Sequence, residues 1–167
     1  MPSSKKPRKA YKRKRNLQDP VGHLLQGMRP VREHTAAMLQ VQIGHSAAMN
    51  SLMTGGASRT EMDALISMSN IVEALRGMGF GSEYKEESIA GREAIIRIAQ
   101  RAASIERFAP AGPDIIALNA LMDLHDAQME VIGVADMERA IDIVNAKIAR
   151  GHATRLPGIS EGVISCN

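Results

Sequence analysis

Apolar residues recur at alternating intervals of three and four positions along most of the chain beyond residue 30. That spacing is typical of one face of an α-helix, because 3.6 residues complete a turn. The clearest run comprises Ile115, Leu118, Met122, His125, Met129 and Ile132. No segment shows a strand signal of comparable strength. The pattern therefore favours helices packed on one another, and this seam needs a partner helix from the same chain or from a second copy.

Capping residues and glycine or proline breaks divide the pattern into five or six helices. Asp19 and Pro20 open a short helix, and Ser58 with Glu61 predicts a capping box. The predicted helices cover about 19–28, 31–53, 59–78, Ser82 to Phe108, 115–132 and a segment between Gly133 and Gly151. Two further apolar stripes are His34, Met38, Val41, His45, Ala48 and Leu52, and Met137, Ile141, Val144 and Ile148. Gly91 marks either a close helix crossing or a local break.

The core must be built almost without aromatic rings. The chain has two Phe, two Tyr and no Trp, but 11 Met. Aliphatic side chains pack helices closely, and Met fills irregular gaps. We expect an all-α fold, a bundle or orthogonal array of five to six helices, with residues 19–150 forming one domain. Residues 151–167 carry no period and are interpreted as a C-terminal arm.

A basic segment precedes the helical pattern. Residues 1–15 hold eight Lys or Arg and no acidic residue, which leaves 13 basic against 18 acidic residues elsewhere, a net charge near −5. So much like charge with so little apolar surface predicts a disordered arm over residues 1–18. Nucleic-acid phosphates are its first candidate partner, with one aromatic ring available for stacking. The predicted contact residues are Lys5, Lys6, Arg8, Lys9, Tyr11, Lys12, Arg13, Lys14 and Arg15.

The same arm has other interpretations. It also fits a solubilising tail, a nuclear-import signal in a eukaryotic setting, or a patch that touches acidic membrane. Cys166 is the only cysteine, so neither an intrachain disulfide nor a Cys-based zinc site is expected. Without an apolar span or a secretory signal, we expect an intracellular protein, in the bacterial cytoplasm or in the nucleus of a eukaryotic host.

The search for catalytic motifs is negative, so we expect no enzyme, cofactor or metal. There is no phosphate loop, dinucleotide fingerprint, nucleophile elbow or zinc-protease motif. His34, His45 and His125 lie on apolar stripes, where we expect hydrogen-bonded core histidines in preference to metal ligands. Asp126 and Glu130 share a helix face but lack the Glu-x-x-His pairing of di-metal bundles. Three other acids are interpreted as solvated: Glu73, Glu86 and Glu87.

Three features together resemble a group of proteins. They are the Lys/Arg tail, the segment PVGHLLQGMRP at 20–30 and the segment LHDAQME at 124–130. The combination resembles small uncharacterised helical proteins carried by bacteriophages and bacterial mobile elements. That resemblance implies an accessory role, such as regulating transcription, binding nucleic acid or blocking host defences, and it carries no site residue.

The leading hypothesis is a non-enzymatic accessory protein that binds nucleic acid through the arm, with a homodimer as one option. The nearest basic surface on a helix comprises Arg92, Arg97, Arg101 and Arg107, interspersed with Glu93 and Glu106. Because that surface is not dense enough to read a major groove, binding is expected to be mainly nonspecific. The alternative is an inhibitor or adaptor that acts on a host protein, and a third interpretation is a virion or scaffold component.

Overall fold

Five helices and one short pair of strands make up the described part of the chain. A computed structural model describes Met28, residues 35–156 and residues 163–165. The helices are α1 (Thr35–Met53), α2 (Arg59–Gly77), α3 (Lys85–Ile105), α4 (Gly112–Val131) and α5 (Val134–Ala149), followed by β1 (Ala153–Arg155) and β2 (Val163–Ser165). The all-α fold is confirmed. The predicted helix at 19–28 and the basic arm lie outside the described residues.

Helix α2 begins as the sequence predicts. The Ser58 hydroxyl accepts a hydrogen bond from the Thr60 amide at 3.2 Å, and the Ser58 amide donates to Glu61 Oε2 at 2.8 Å. This reciprocal capping box satisfies amide groups that the first turn of a helix leaves without partners. The helix ends at Gly77, within one residue of the predicted end.

Helix α3 begins at Lys85 with Tyr84 as its N-cap, so the prediction that Ser82 starts this helix is wrong. The Tyr84 amide donates to the Gly81 carbonyl at 3.1 Å, which holds residues 81–84 in a turn. Gly81 adopts a φ of 74°, and a Cβ there would lie 3.0 Å from Leu124. The helix ends at Ile105 because Glu106 takes a left-handed conformation, so Phe108 lies beyond it.

Helix α2 is the central element of the bundle. It contacts each of the other four helices and β2. The apolar side chains on one face of α2 are fully buried: Met62, Leu65, Met68, Val72 and Leu75. Leu118 and Leu121 of α4 are also fully buried. The burial of Met62 and Met68 confirms that Met residues contribute to the core. A second apolar cluster joins the end of α2 to α5 through Leu75, Met129, Ile132, Met137 and Ala140.

Helices α3 and α4 cross closely at Gly91. A Cβ added to Gly91 would lie 2.6 Å from Leu121 Cβ, closer than two carbon atoms can pack. Gly91 therefore marks the close crossing and not a helix break. The α4 seam beginning at Ile115 is largely covered within the chain, since Leu118, His125, Met129 and Ile132 are buried.

Two apolar stripes are only partly covered. Val41 of α1 is 40% exposed, and Ile141 and Ile148 of α5 are 42% and 39% exposed. These residues lie on helices with the predicted spacing. That spacing does not ensure that every residue of a stripe is buried. None of the described helices is long and apolar enough to cross a membrane.

The segment after α5 contains pairing that the sequence did not predict. β1 and β2 are antiparallel, with Thr154 opposite Ile164. β2 contacts α2 and α5, so part of the predicted C-terminal arm lies against the helices.

Candidate nucleic-acid interface

The predicted contact residues of the basic arm, Lys5 to Arg15, lie outside the described residues. A nucleic-acid interface on the folded body must therefore be sought among its arginines. Four of these, Arg92, Arg97, Arg101 and Arg107, lie on α3 and the turn after it, and the structure places them in three different settings.

Arg97 and Arg101 are bound to a buried carboxylate. Arg97 Nε donates to Asp114 Oδ1 at 2.9 Å, while Arg101 donates to Asp114 Oδ2 and, at 3.0 Å, to the Ala109 carbonyl. The Asp114 side chain is 2% exposed. Arg97 also lies 3.7 Å from Glu93. These two arginines join α3 to the start of α4. Because some of their N–H groups already donate within the protein, fewer remain to bind an external phosphate.

Asp114 stays ionised in this setting. Its burial alone would raise the pKa of the carboxyl, but the hydrogen bonds from the Ala111 amide, Arg101 and Arg97 outweigh it and lower the pKa. The Ala111 amide donates at 3.0 Å. Asp114 is thus both the helix cap of α4 and the anion that holds the two guanidinium groups.

Arg59 and Arg107 are placed differently. They line one cleft of about 480 Å³, together with Ala102, Ala103, Glu106 and Phe108. Both side chains are exposed, and neither forms an ion pair or hydrogen bond with another residue of the described ranges. Arg59 is the first residue of α2, whose N-terminal amides are already capped by Ser58 and Glu61. The cleft is large enough for a phosphate group, and its lining carries two guanidinium groups and the carboxylate of Glu106.

The remaining predicted arginine, Arg92, is half-buried on α3. No sequence pattern marks Arg59 as a contact residue, because it lies beside a helix start with no other basic residue near it in the chain. Only the packing of the α2 start against the end of α3 brings it to the same cleft as Arg107.

A second cleft has the opposite character. It measures about 300 Å³ and is lined by Tyr84, Glu87, Ala120, Asp123, Leu124 and Ala127. Its two carboxylates repel phosphate, so it does not extend the basic cleft.

Two of the histidines on the predicted stripes meet in the core. The rings of His45 and His125 lie 5.0 Å apart between centroids, at an interplanar angle of 77°. His125 is fully buried, and its Nδ1 lies 3.1 Å from Asp126 Oδ1. His45 Nδ1 and His125 Nε2 are buried without a hydrogen-bond partner among the described residues. The prediction of a hydrogen-bonded core histidine is confirmed for His125. His45 lies in the core as predicted, but its Nδ1 lacks the expected hydrogen bond to a described residue, and His34 lies outside the described residues.

The prediction of solvated acids is confirmed for Glu86 and Glu87, which are exposed. Asp126 and Glu130 are exposed as well. Glu73 is not solvated: it is 6% exposed, and it binds Arg76 at 2.8 Å and the Ser88 hydroxyl at 3.2 Å. That interpretation is wrong because the start of α3 covers this face of α2. No cluster of three or more potential metal ligands occurs within the described residues.

Comparison with protein-family models, with curated proteins and with solved structures finds no match to this chain. Function is therefore argued from the residues of the chain itself.

Proposed function

We propose that this protein is a non-enzymatic accessory protein that binds nucleic acid, with its basic arm as the main contact. The observation that carries the proposal is the composition of residues 1–15, with eight basic residues and no acidic one. Each phosphate that a Lys or Arg neutralises releases counterions. The predicted contacts are the basic residues from Lys5 to Arg15, together with the ring of Tyr11.

The cleft between Arg59 and Arg107 supports the same proposal from the folded body. It offers two guanidinium groups that form no ion pair with a described carboxylate, beside one carboxylate, Glu106, on a body whose net charge outside the arm is near −5. A phosphate held there would keep the nucleic acid against the body at one defined place. The contacts address the backbone and not the bases, so binding is mainly nonspecific.

The experiment compares the full-length protein with a full-length variant in which all eight basic residues of the arm are Gln. Binding to labelled duplex DNA, single-stranded DNA and RNA is measured by fluorescence anisotropy at several salt concentrations. We expect the wild type to bind with a logarithmic salt slope up to about −7 and the variant to bind far more weakly.

Equal binding by the two proteins would remove the arm from the interface. A wild type that binds none of the three probes at low salt would overturn the proposed function.

The alternative is an inhibitor or adaptor acting on a host protein, in the setting of a phage or mobile element. Exposed aliphatic residues on α4 favour it, since Ile116 is 72% and Val131 69% exposed. Capture of one host protein that survives the eight Gln substitutions would support this alternative over nucleic-acid binding.

A further inference from the structure

Two buried imidazole rings lack a hydrogen bond that burial ordinarily requires. His45 is 6% exposed and His125 is fully buried. His45 Nδ1 and His125 Nε2 have no hydrogen-bond partner among the described residues. Because a buried polar atom without a partner is costly, two such atoms in neighbouring rings need an explanation. A neutral imidazole is the commonest metal ligand among protein side chains, so a bound metal ion is one explanation.

The placement of the two rings suits one shared ion. Their centroids lie 5.0 Å apart, and their planes make an angle of 77°. A ring nitrogen binds a metal ion at about 2 Å, so two rings that share an ion in roughly tetrahedral geometry have centroids about 5 Å apart. His125 Nδ1 lies 3.1 Å from Asp126 Oδ1. A carboxylate on one ring nitrogen, with the other nitrogen left to the ion, is the usual arrangement of a histidine that binds metal.

A methionine follows each of these histidines by one helical turn. The segments are HSAAM at 45–49 and HDAQM at 125–129, and HTAAM at 34–38 repeats the spacing outside the described side chains. Three of the five histidines thus have Met at the fourth position after them, although Met is only 11 of 167 residues. Met49 is 7% exposed and Met129 is 1% exposed. Because helical side chains lean toward the N-terminus, each thioether leans over the turn that carries its histidine.

The donor set selects the kind of ion. The described residues contain no cluster of three or more His, Cys, Asp or Glu, so imidazole nitrogens alone do not complete a site for Zn²⁺. Thioether sulfur is a soft donor and favours Cu(I). Charge agrees with this choice, since the carboxylate of Asp126 beside His125 balances a monovalent ion better than a divalent one.

We propose that His45 Nδ1 and His125 Nε2 bind one Cu(I) ion, with the thioethers of Met49 and Met129 as further ligands. The ion satisfies both nitrogens and joins α1 to α4. The proposal departs from the sequence-based expectation that these histidines bind no metal. Gly44 and Ser46, on either side of His45, are exposed, so an ion can approach the site from the surface of α1. This inference does not depend on nucleic-acid binding.

The test measures binding of Cu(I) to the full chain in the absence of oxygen, by competition with a chromophoric chelator. All proteins compared carry Cys166→Ser, because a thiolate would itself bind Cu(I). We expect His45→Leu and His125→Leu each to lower the affinity by about 100-fold or more. Met49→Leu and Met129→Leu nearly preserve side-chain volume and should each lower the affinity by about tenfold.

Matched replacements separate this site from general effects of Met and His. Met137 is buried in the core, but Gly133 and not a histidine lies one turn before it. Met137→Leu and His34→Gln should therefore leave the affinity unchanged. X-ray absorption of the loaded protein should show both nitrogen and sulfur ligands, and the sulfur signal should be lost when Met49 and Met129 are both Leu. Circular dichroism verifies that each variant is folded.

Three results would each overturn the proposal. One is a parent protein that binds Cu(I) no more tightly than its His45→Leu and His125→Leu variants. Another is an absorption spectrum without a sulfur ligand, and the third is an unchanged affinity in both Met→Leu variants. A parent that binds no Cu(I) would leave the two nitrogens to an ordered water molecule instead.

Discussion

The edge of one imidazole ring meets the face of another where α1 approaches α4: His45 and His125 lie 5.0 Å apart, nearly perpendicular. Both rings are buried, and two of their nitrogen atoms have no hydrogen-bond partner among the described residues. Burial, followed by the proximity of His125, lowers the pKa of His45 from 6.5 to about 4. Burial also lowers the pKa of His125, although Asp126 acts in the opposite direction.

These lowered pKa values predict that acid destabilises the fold. Between pH 6.5 and about 4 the unfolded chain binds protons that the folded chain rejects, so the free energy of unfolding falls as the pH falls. The part of the unfolding free energy that depends on the uncharged His45 is fully present above pH 6.5. The slope should approach about 1.4 kcal/mol per pH unit for each histidine that titrates only on unfolding. Urea unfolding at a series of pH values from neutral down to the lowered pKa of His45 measures it.

The variant His45→Leu should flatten this pH dependence, because it removes one of the two buried titrating groups. His152 is exposed, so His152→Gln serves as the matched control and should keep the wild-type slope. An unchanged slope in His45→Leu would show that the histidine pair does not set the acid sensitivity.

The close crossing of α3 and α4 predicts that Gly91→Ala destabilises the protein. Alanine favours a helix by about 1 kcal/mol over glycine, but its Cβ would lie 2.6 Å from Leu121 Cβ. Separating the helices should cost more than that gain, for a net loss of about 1–3 kcal/mol. Chemical denaturation checks the sign. Gly77→Ala is the control, since a Cβ there meets nothing within 4 Å, and a stabilised Gly91→Ala variant would contradict the crossing.

The buried carboxylate of Asp114 predicts a loss of stability on substitution. Asp114→Asn leaves Arg97 and Arg101 without their anion. Because these arginines are 43% and 37% exposed, solvent replaces part of the interaction, and we expect a loss of about 1–3 kcal/mol. Thermal and urea unfolding measure it. Asp142→Asn, at an exposed site on α5, should change the unfolding free energy by only a few tenths of a kcal/mol.

The basic cleft predicts a specific change in salt dependence. Replacing both Arg59 and Arg107 by Gln should reduce the magnitude of the logarithmic salt slope of DNA binding by about 2, with the fold intact. Arg139, exposed on α5, is the control position, and Arg139→Gln should leave the slope unchanged. If the double variant also keeps the wild-type slope, nucleic acid does not contact this cleft.

The sequence by itself determined the local elements of the fold. The three-and-four spacing predicted the five helices within the described ranges, because helical periodicity depends only on residues a turn apart. The capping pair Ser58 and Glu61 predicted the start of α2, whereas Gly91 was compatible with a crossing or a break until the structure showed the crossing. The separation of a basic segment from an acidic remainder was equally visible in the sequence.

Only the tertiary structure decided which faces of those helices are covered. Glu73 is buried because the start of α3 lies over it, whereas Ile141, on a correctly predicted stripe, remains 42% exposed. His45 and His125 are 80 positions apart, and Arg59 and Arg107 are 48 apart, so neither pair leaves a local pattern. Burial and charge pairing depend on contacts between distant segments, and these are fixed when the helices pack together.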